Sequence, residues 1–275
     1  MSQTLKNLRQ NLKKIAPLYR LVGFVRLAQF KRELKRAQFE YDRMNASDIP
    51  PPKLRYRVHR ALDLRSYETL GNEVSDAIVA TIKRINIETD GKDILDFASG
   101  PGRAAKWLKK KLPGINLTGS DIDREAIEWA STNLPHVGAF VVNDYRAPTE
   151  FSEEQFDLIY SISLFTHLDE KLQDEWLKEL HRILKKGGYL LATTHGQFAQ
   201  STCTDAECTQ LAVKGFVFRQ DHSGMLKLDG LPDFYQTAFH TVEYVSRHWG
   251  QWFEIVEHIE GGISGHQDLV VMRRA

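Results

Sequence analysis

Apolar side chains recur every three or four residues over 62–85, where Leu70, Val74, Ile78, Val79 and Ile82 share a side, and the spacing predicts a long helix. Asp90-Gly91 reads as a turn, and beyond it the rhythm changes. Short apolar runs at 94–98, 117–121, 139–142, 156–162 and 189–194 alternate with helical stretches at 104–112, 123–133 and 172–184. Continuous apolar runs of this kind are strands buried on both faces, and strand–helix alternation lays them parallel. The expected fold class is therefore α/β, a doubly wound and mostly parallel sheet. Over 197–239 the pattern fails, and this stretch reads as an insertion or lid. A helix at 240–249 follows, then strands at 253–259 and 268–272 joined through Gly261-Gly262.

Before the domain, the first 43 residues read as helical, interrupted only by Pro17 and Gly23. Leu18, Leu21, Val22, Val25 and Ala28 share a face there, which Phe24 and Leu27 blur. Pro50-Pro51-Pro52 ends any helix and marks a boundary. The division expected is a basic helical extension over 1–45, a linker over 46–65, and one domain over 66–275.

Charge adds a second asymmetry. The chain has 275 residues and a net charge of only +1, yet residues 1–43 hold 11 Lys or Arg against Glu33, Glu40 and Asp42. A basic arm on a mildly acidic body invites an anionic partner. Residues 6–36 fit an anionic membrane surface, with Phe24, Leu27 and Phe30 beside the cations. A helix packed on the domain with a solvated charged face is the plain alternative, and nucleic acid the least favoured. The most apolar early stretch, about ten residues over 21–30 with Arg26 inside, is far short of the roughly 20 a spanning helix needs. No secretory signal is visible, and Cys203 and Cys208 read as free thiols, so a cytoplasmic chain, in one reading peripheral to a membrane, is expected.

The candidate chemistry centres on Asp96-Phe97-Ala98-Ser99-Gly100-Pro101-Gly102-Arg103, where an apolar strand runs into small residues and then a helix. Gly100 and Gly102 allow a tight turn and close approach of a ligand, and the helix start offers unpaired N–H groups. About 20 residues on, a second strand ends at Asp121, placed for the two hydroxyls of a ribose. Together they indicate a nucleoside-containing cofactor; a glycine turn with a helix cap at Asp121 or Asp123 is the bland reading. Gly100-x-Gly102-x-x-Ala105 also fits the dinucleotide fingerprint. S-adenosylmethionine (SAM) is favoured because Asp96 in the turn would repel a pyrophosphate and welcome a cationic amino-acid head. No Tyr-x-x-x-Lys accompanies the loop, as a nicotinamide-dependent oxidoreductase would want.

These residues resemble the class I SAM-dependent methyltransferases, within the broad type 11/25 group, over residues 66–275. The resemblance implies a seven-stranded Rossmann-like sheet whose last strand is antiparallel. It implies that Asp96, Ala98, Ser99, Gly100 and Gly102 surround the methionine moiety, that Asp121 holds the ribose with Ile122 beside the adenine, and that Asp144 and Tyr145 approach the adenine amino group. Tyr160 and Ser161 would receive the ammonium through their backbone. Leu184-Lys185-Lys186-Gly187-Gly188 is similar to the turn before the fifth strand, with Lys186 where proline is usual. The flanking Tyr235-Gln236-Thr237 and Gly265-His266-Gln267 stretches resemble bacterial members linked to glycans.

Methyl transfer to oxygen needs a proton acceptor. His167 and His195 follow strands at the expected ligand edge, and His240 could arrive from the lid with Tyr235; each could equally be a cap or a structural imidazole. Arg55 and Arg57 could hold the cofactor carboxylate or an acidic substrate. No metal-ligand spacing is present. The motifs for DNA-base amines, protein arginine and radical chemistry are missing, so the expectation is methyl transfer to a hydroxyl of a small or glycan-linked acceptor. A catalytically silent SAM-binding module is the rival.

Overall fold

The computed structural model describes residues 16–44, 46–220 and 231–275, and for 16–22 the backbone alone. In chain order the elements are α1 (Ala16–Asp42), α2 (Pro52–His59), α3 (Leu64–Arg84), β1 (Asp93–Phe97), α4 (Ala105–Lys111), β2 (Asn116–Asp121), α5 (Arg124–Asn133), β3 (Ala139–Val142), β4 (Phe156–Ser161), α6 (Glu170–Ile183), β5 (Leu184–Thr194), α7 (Gln197–Gln200), α8 (Asp205–Lys214), β6 (Phe216–Arg219), β7 (Thr237–His240), α9 (Val242–His248), β8 (Glu254–Ile263) and β9 (Gln267–Arg273).

Seven strands form one sheet in the order β3-β2-β1-β4-β5-β9-β8. The first five are parallel, β9 runs antiparallel beside β5 from Tyr189↔Arg273 to Thr194↔Asp268, and β8 closes the edge antiparallel to β9. The expected mostly parallel sheet with a reversed terminal hairpin is thus present. Alternate residues of each strand feed two cores. Leu95, Ile159, Leu190 and Val270 meet Trp176, Leu180, Tyr244 and Trp249 on one side. Ile94, Leu158, Leu191 and Val271 meet Val74, Ile78, Leu108 and Ala130 on the other. Each such side chain, fully buried, contributes about 1.5–3 kcal/mol, which is why the strands read as unbroken apolar runs.

Helix starts are set by short polar side chains that accept from the first free N–H groups. Asp63 caps α3, Asp123 caps α5, Asp169 caps α6 and Thr241 caps α9. The cap of α6 is therefore Asp169 and not His167. Four other features differ from the sequence reading. Residues 52–59, within the stretch read as a linker, form α2. Residues 216–219 and 237–240 pair as a second, two-stranded sheet. His240 ends β7 and lies outside the helix that follows. Gly261 and Gly262 lie inside β8, and the chain reverses at Ser264-Gly265-His266. Pairings of four residues carry too little periodicity to be visible beforehand. Cys203 is buried with Leu211, Val217 and Phe239, and Cys208 is exposed on α8. Among the described residues no helix is long and apolar enough to cross a membrane.

Candidate active site

At the carboxyl end of β1 the chain leaves the sheet but stays tied to β2: the Ala98 and Ser99 N–H groups both donate to the Ser120 carbonyl, at 2.8 and 3.0 Å. Ala98 and Gly100 take left-handed backbone, φ 68° and 54°. A side chain at Gly100 would start 2.6 Å from Val58 Cγ1, because α2 presses on the loop from above. Asp121, ending β2, holds the same loop: Oδ2 accepts from Gly100 N–H at 2.7 Å and Oδ1 from Asp123 N–H at 2.8 Å. Burial pushes the Asp121 carboxyl upward.

This loop forms one wall of a cavity of about 320 Å³, within the size of ordinary small-molecule sites. Arg57, Val58, His59 and Arg60 roof it, Leu70 and Val74 of α3 close one end, and Ile162, Ser163, Leu164, His167, Leu168 and Trp176 form the opposite wall. Leu231, Pro232, Phe234 and Tyr235 lie across the mouth, where the Phe234 and Tyr145 rings meet at 5.5 Å between centroids.

The cavity gathers many, not all, of the residues singled out in the sequence. Asp96, Ala98, Ser99, Gly100, Asp121, Ile122, Tyr145 and His167 line it. Gly102 bends the turn from behind (φ 76°). Asp144 points elsewhere, its carboxylate accepting from the Tyr145 N–H at 2.6 Å, and its neighbour Asn143 lines the cavity instead. Tyr160 and Ser161 are fully buried in the sheet; the residues just past them, 162–164, reach the cavity. Arg55 is buried among backbone carbonyls, donating to Pro50 O at 3.1 Å and Leu62 O at 3.2 Å. Arg57 lines the cavity, but its fork is held by Asp123 at 2.6 Å and Glu125 at 2.6 Å.

The polar floor fits a zwitterionic amino-acid head. Asp96 is buried, its Oδ2 has no hydrogen-bond partner among the described residues, and burial pushes the carboxyl up to about 7. The nearby Asp121 adds to that rise, while the Tyr160 hydroxyl and Arg103 oppose it. Arg103 lines the same space, donating Nη1 to Val58 O at 3.0 Å with its guanidinium 6.0 Å from the Tyr67 ring centroid. Gly71 on α3 permits this: a Cβ there would stand 2.6 Å from the Arg103 carbonyl. These groups suit SAM: Asp96 would face its ammonium, Arg103 its carboxylate and Asp121 its ribose. Sequence reasoning missed Arg103, though its place directly after Gly102 was a signal. It also missed His59, whose Nε2 lies 2.7 Å from the Ser66 hydroxyl at the roof.

The three histidines separate cleanly. His167 lines the cavity, stacks on Tyr235 at 4.3 Å between ring centroids, and its Nδ1 bonds the Gln236 carbonyl. A carbonyl only accepts, so Nδ1 carries the proton and Nε2 is the basic nitrogen of the neutral ring. His195 stands behind it, edge-on at 5.8 Å, with Nδ1 3.1 Å from Ala238 O, and does not line the cavity. His240 is enclosed in the core with Nε2 3.0 Å from Gln173 Oε1. Burial pushes it down to about 3, so it stays neutral and takes no place in the site.

Residues 94–188 match the methyltransferase domain family. The demethylmenaquinone methyltransferase of Thermotoga maritima is 32% identical over 106 residues, 38% of this chain and 44% of that protein. The phthiotriol/phenolphthiotriol dimycocerosates methyltransferase 1 of Mycobacterium ulcerans is 30% identical over 113 residues, 39% of each chain. The chain thus spans less than half the length of these relatives. A SAM-dependent methyltransferase from Mesorhizobium loti shares the fold, with a TM-score of 0.50 at 17% identity over 72% of this chain and 98% of that one. In sheet order, glycine loop and sequence, residues 94–188 are thus similar to the methyltransferase domain of SAM-dependent enzymes, with SAM as the expected cofactor.

Proposed function

We propose that this protein transfers the methyl group of SAM to a hydroxyl on a small, largely apolar acceptor. The observation that carries the reading is one cavity with two kinds of wall: the loop held by Asp121 on one side, and the His167 imidazole with an apolar surface on the other. SAM supplies an electrophilic methyl group when bound. Asp96 and Arg103 fix the amino-acid head, and Asp121 and Asn143 fix the nucleoside. Ile162, Leu164, Leu168, Trp176 and Phe234 keep water away and orient the acceptor, which is where much of the acceleration of such a displacement arises. His167 Nε2 takes the hydroxyl proton. A sugar ring would need more polar partners than this wall offers, so a glycan-linked acceptor is disfavoured relative to an alkyl or phenolic alcohol.

The test is methyl incorporation from labelled SAM into a panel of phenols and alkyl alcohols, alongside calorimetric titration with SAM and NAD. His167→Gln is expected to lower kcat at least about 100-fold while leaving SAM affinity within about twofold. Full turnover by His167→Gln sinks the assigned base. SAM binding without turnover on any acceptor leaves a silent binding module, and binding of NAD alone removes the whole reading.

A further inference from the structure

We propose that the outward face of α1 docks on an anionic membrane surface, with Lys31, Arg32, Lys35 and Arg36 supplying charge and Phe24 and Phe39 the apolar anchors. The inward face is already occupied. Gly23, Leu27, Phe30, Leu34, Ala37 and Tyr41, spaced alternately by four and three, are buried or half-buried, and Gln38 is the one other half-buried side chain among the described residues of the helix. The Phe30 ring packs on Tyr56 at 4.5 Å between centroids, and the Arg55 guanidinium lies 6.0 Å from the Tyr41 ring centroid. Leu27 and Phe30 therefore do not belong to the membrane face that composition suggested.

What remains outside is distinctive. At 100° per residue, Phe24, Ala28, Lys31, Arg32, Lys35 and Phe39 fall within an arc of about 100°, and all six are exposed. Phe24 and Phe39 are 62% and 63% exposed. The acids are elsewhere or engaged: Glu33 and Glu40 lie to the side, Glu40 paired with Arg36 at 3.3 Å, and Asp42 accepts from Gln38 Nε2 at 2.7 Å. A single exposed aromatic means nothing. Two aromatics about 22 Å apart, with three cations between them on one face and Arg36 at its margin, match a helix lying in the headgroup layer. There the rings enter the acyl boundary and the Lys and Arg stems carry their charges up to the phosphates. A nucleic-acid backbone would use the cations and leave both rings in water, so it is the poorer fit. Because α1 rests on α2, and α2 supplies Arg57, Val58 and His59 to the cavity roof, docking brings that roof close to the lipid surface.

The experiment is cosedimentation of the full chain with vesicles of phosphatidylcholine alone, and of equal parts phosphatidylcholine and phosphatidylglycerol, at low and high salt. Binding is expected only to the anionic vesicles, weakening as salt rises. A Lys31→Glu/Lys35→Glu variant should lose at least about twentyfold in affinity. A Phe24→Ser/Phe39→Ser variant should lose the part of the binding that survives salt. Both variants change exposed positions only, so unchanged circular dichroism and melting midpoint are expected, and Arg32→Gln/Arg36→Gln gives a milder second pair. Three results each overturn the proposal: no preference for anionic vesicles at low salt, undiminished binding by the charge-reversed pair, or duplex DNA displacing the protein from vesicles at equal phosphate.

Discussion

Asp96 bears an electrostatic cost that the chain alone does not relieve. Its carboxyl titrates near 7, well above the ordinary value of 3.8. The folded state therefore holds a proton that the unfolded state has lost, and this cost is absent below about pH 4 and fully present above about pH 7. A cationic ligand reverses the balance by favouring the carboxylate. The association constant for SAM should accordingly rise by up to about tenfold per pH unit below pH 7 and then level off, with a proton released on binding. Calorimetry in buffers of different ionisation enthalpy reads both effects. Asp96→Asn should flatten the profile, and a profile that stays as steep in that variant would assign the proton elsewhere. Arg103→Gln, which removes the carboxylate's partner, should weaken SAM about ten- to a hundredfold without altering the slope. Asp96, Gly100 and Asp121 were legible in the sequence because backbone geometry and charge restrict what can stand there. His167, His195 and His240 were not separable, because three similar imidazoles differ only in what folds around them: a cavity, a neighbouring ring, or a closed core.

The site depends on helices that touch no part of the glycine loop in sequence. α3 reaches Arg103 because position 71 has no side chain, and α2 reaches Gly100 through Val58 for the same reason in reverse. Gly71→Val should force α3 and the Arg103 backbone apart, at a cost of about 1–3 kcal/mol in stability. It should also weaken SAM more than tenfold, because the guanidinium moves with its backbone. Parallel melting and binding curves check this; a variant that loses stability but keeps its affinity would uncouple Gly71 from the Arg103 fork. The strands, with their unbroken apolar runs, could be recognised one at a time. α2 could not, because its eight residues begin at the third of three prolines and carry Arg55, Arg57 and His59 where an amphipathic stripe would be sought. Its burial comes from contacts outside the helix: Arg57 on Asp123, Arg55 on the carbonyls of residues 50 and 62, Val58 on the loop. β6 and β7 were hidden for a related reason, since each is only four residues long and its partner is distant in the chain.

Both cores and the roof converge on a single cavity, so occupancy should be felt by the whole domain. A ligand at a hundredfold excess over its Kd adds about 2.7 kcal/mol, which for a domain of this size raises the melting midpoint by about 5–10 °C. SAM should produce such a shift and NAD none, and a scanning-calorimetry trace with the order inverted would contradict the cofactor assignment. The segment over the mouth adds a further consequence. Tyr235 stacks on His167 and donates its hydroxyl to Ser163 O at 2.9 Å, while the backbone of residue 236 accepts from the imidazole and donates to the His167 carbonyl at 2.9 Å. The residues that would choose an acceptor by shape are thus the ones that set the imidazole's tautomer. On the reading proposed above, selectivity and reactivity are inherited together in this chain. Grafting 231–236 from another member to change the acceptor would detune the proton transfer as well, and a successful exchange would have to carry residues 163–167 with it as one interchangeable unit.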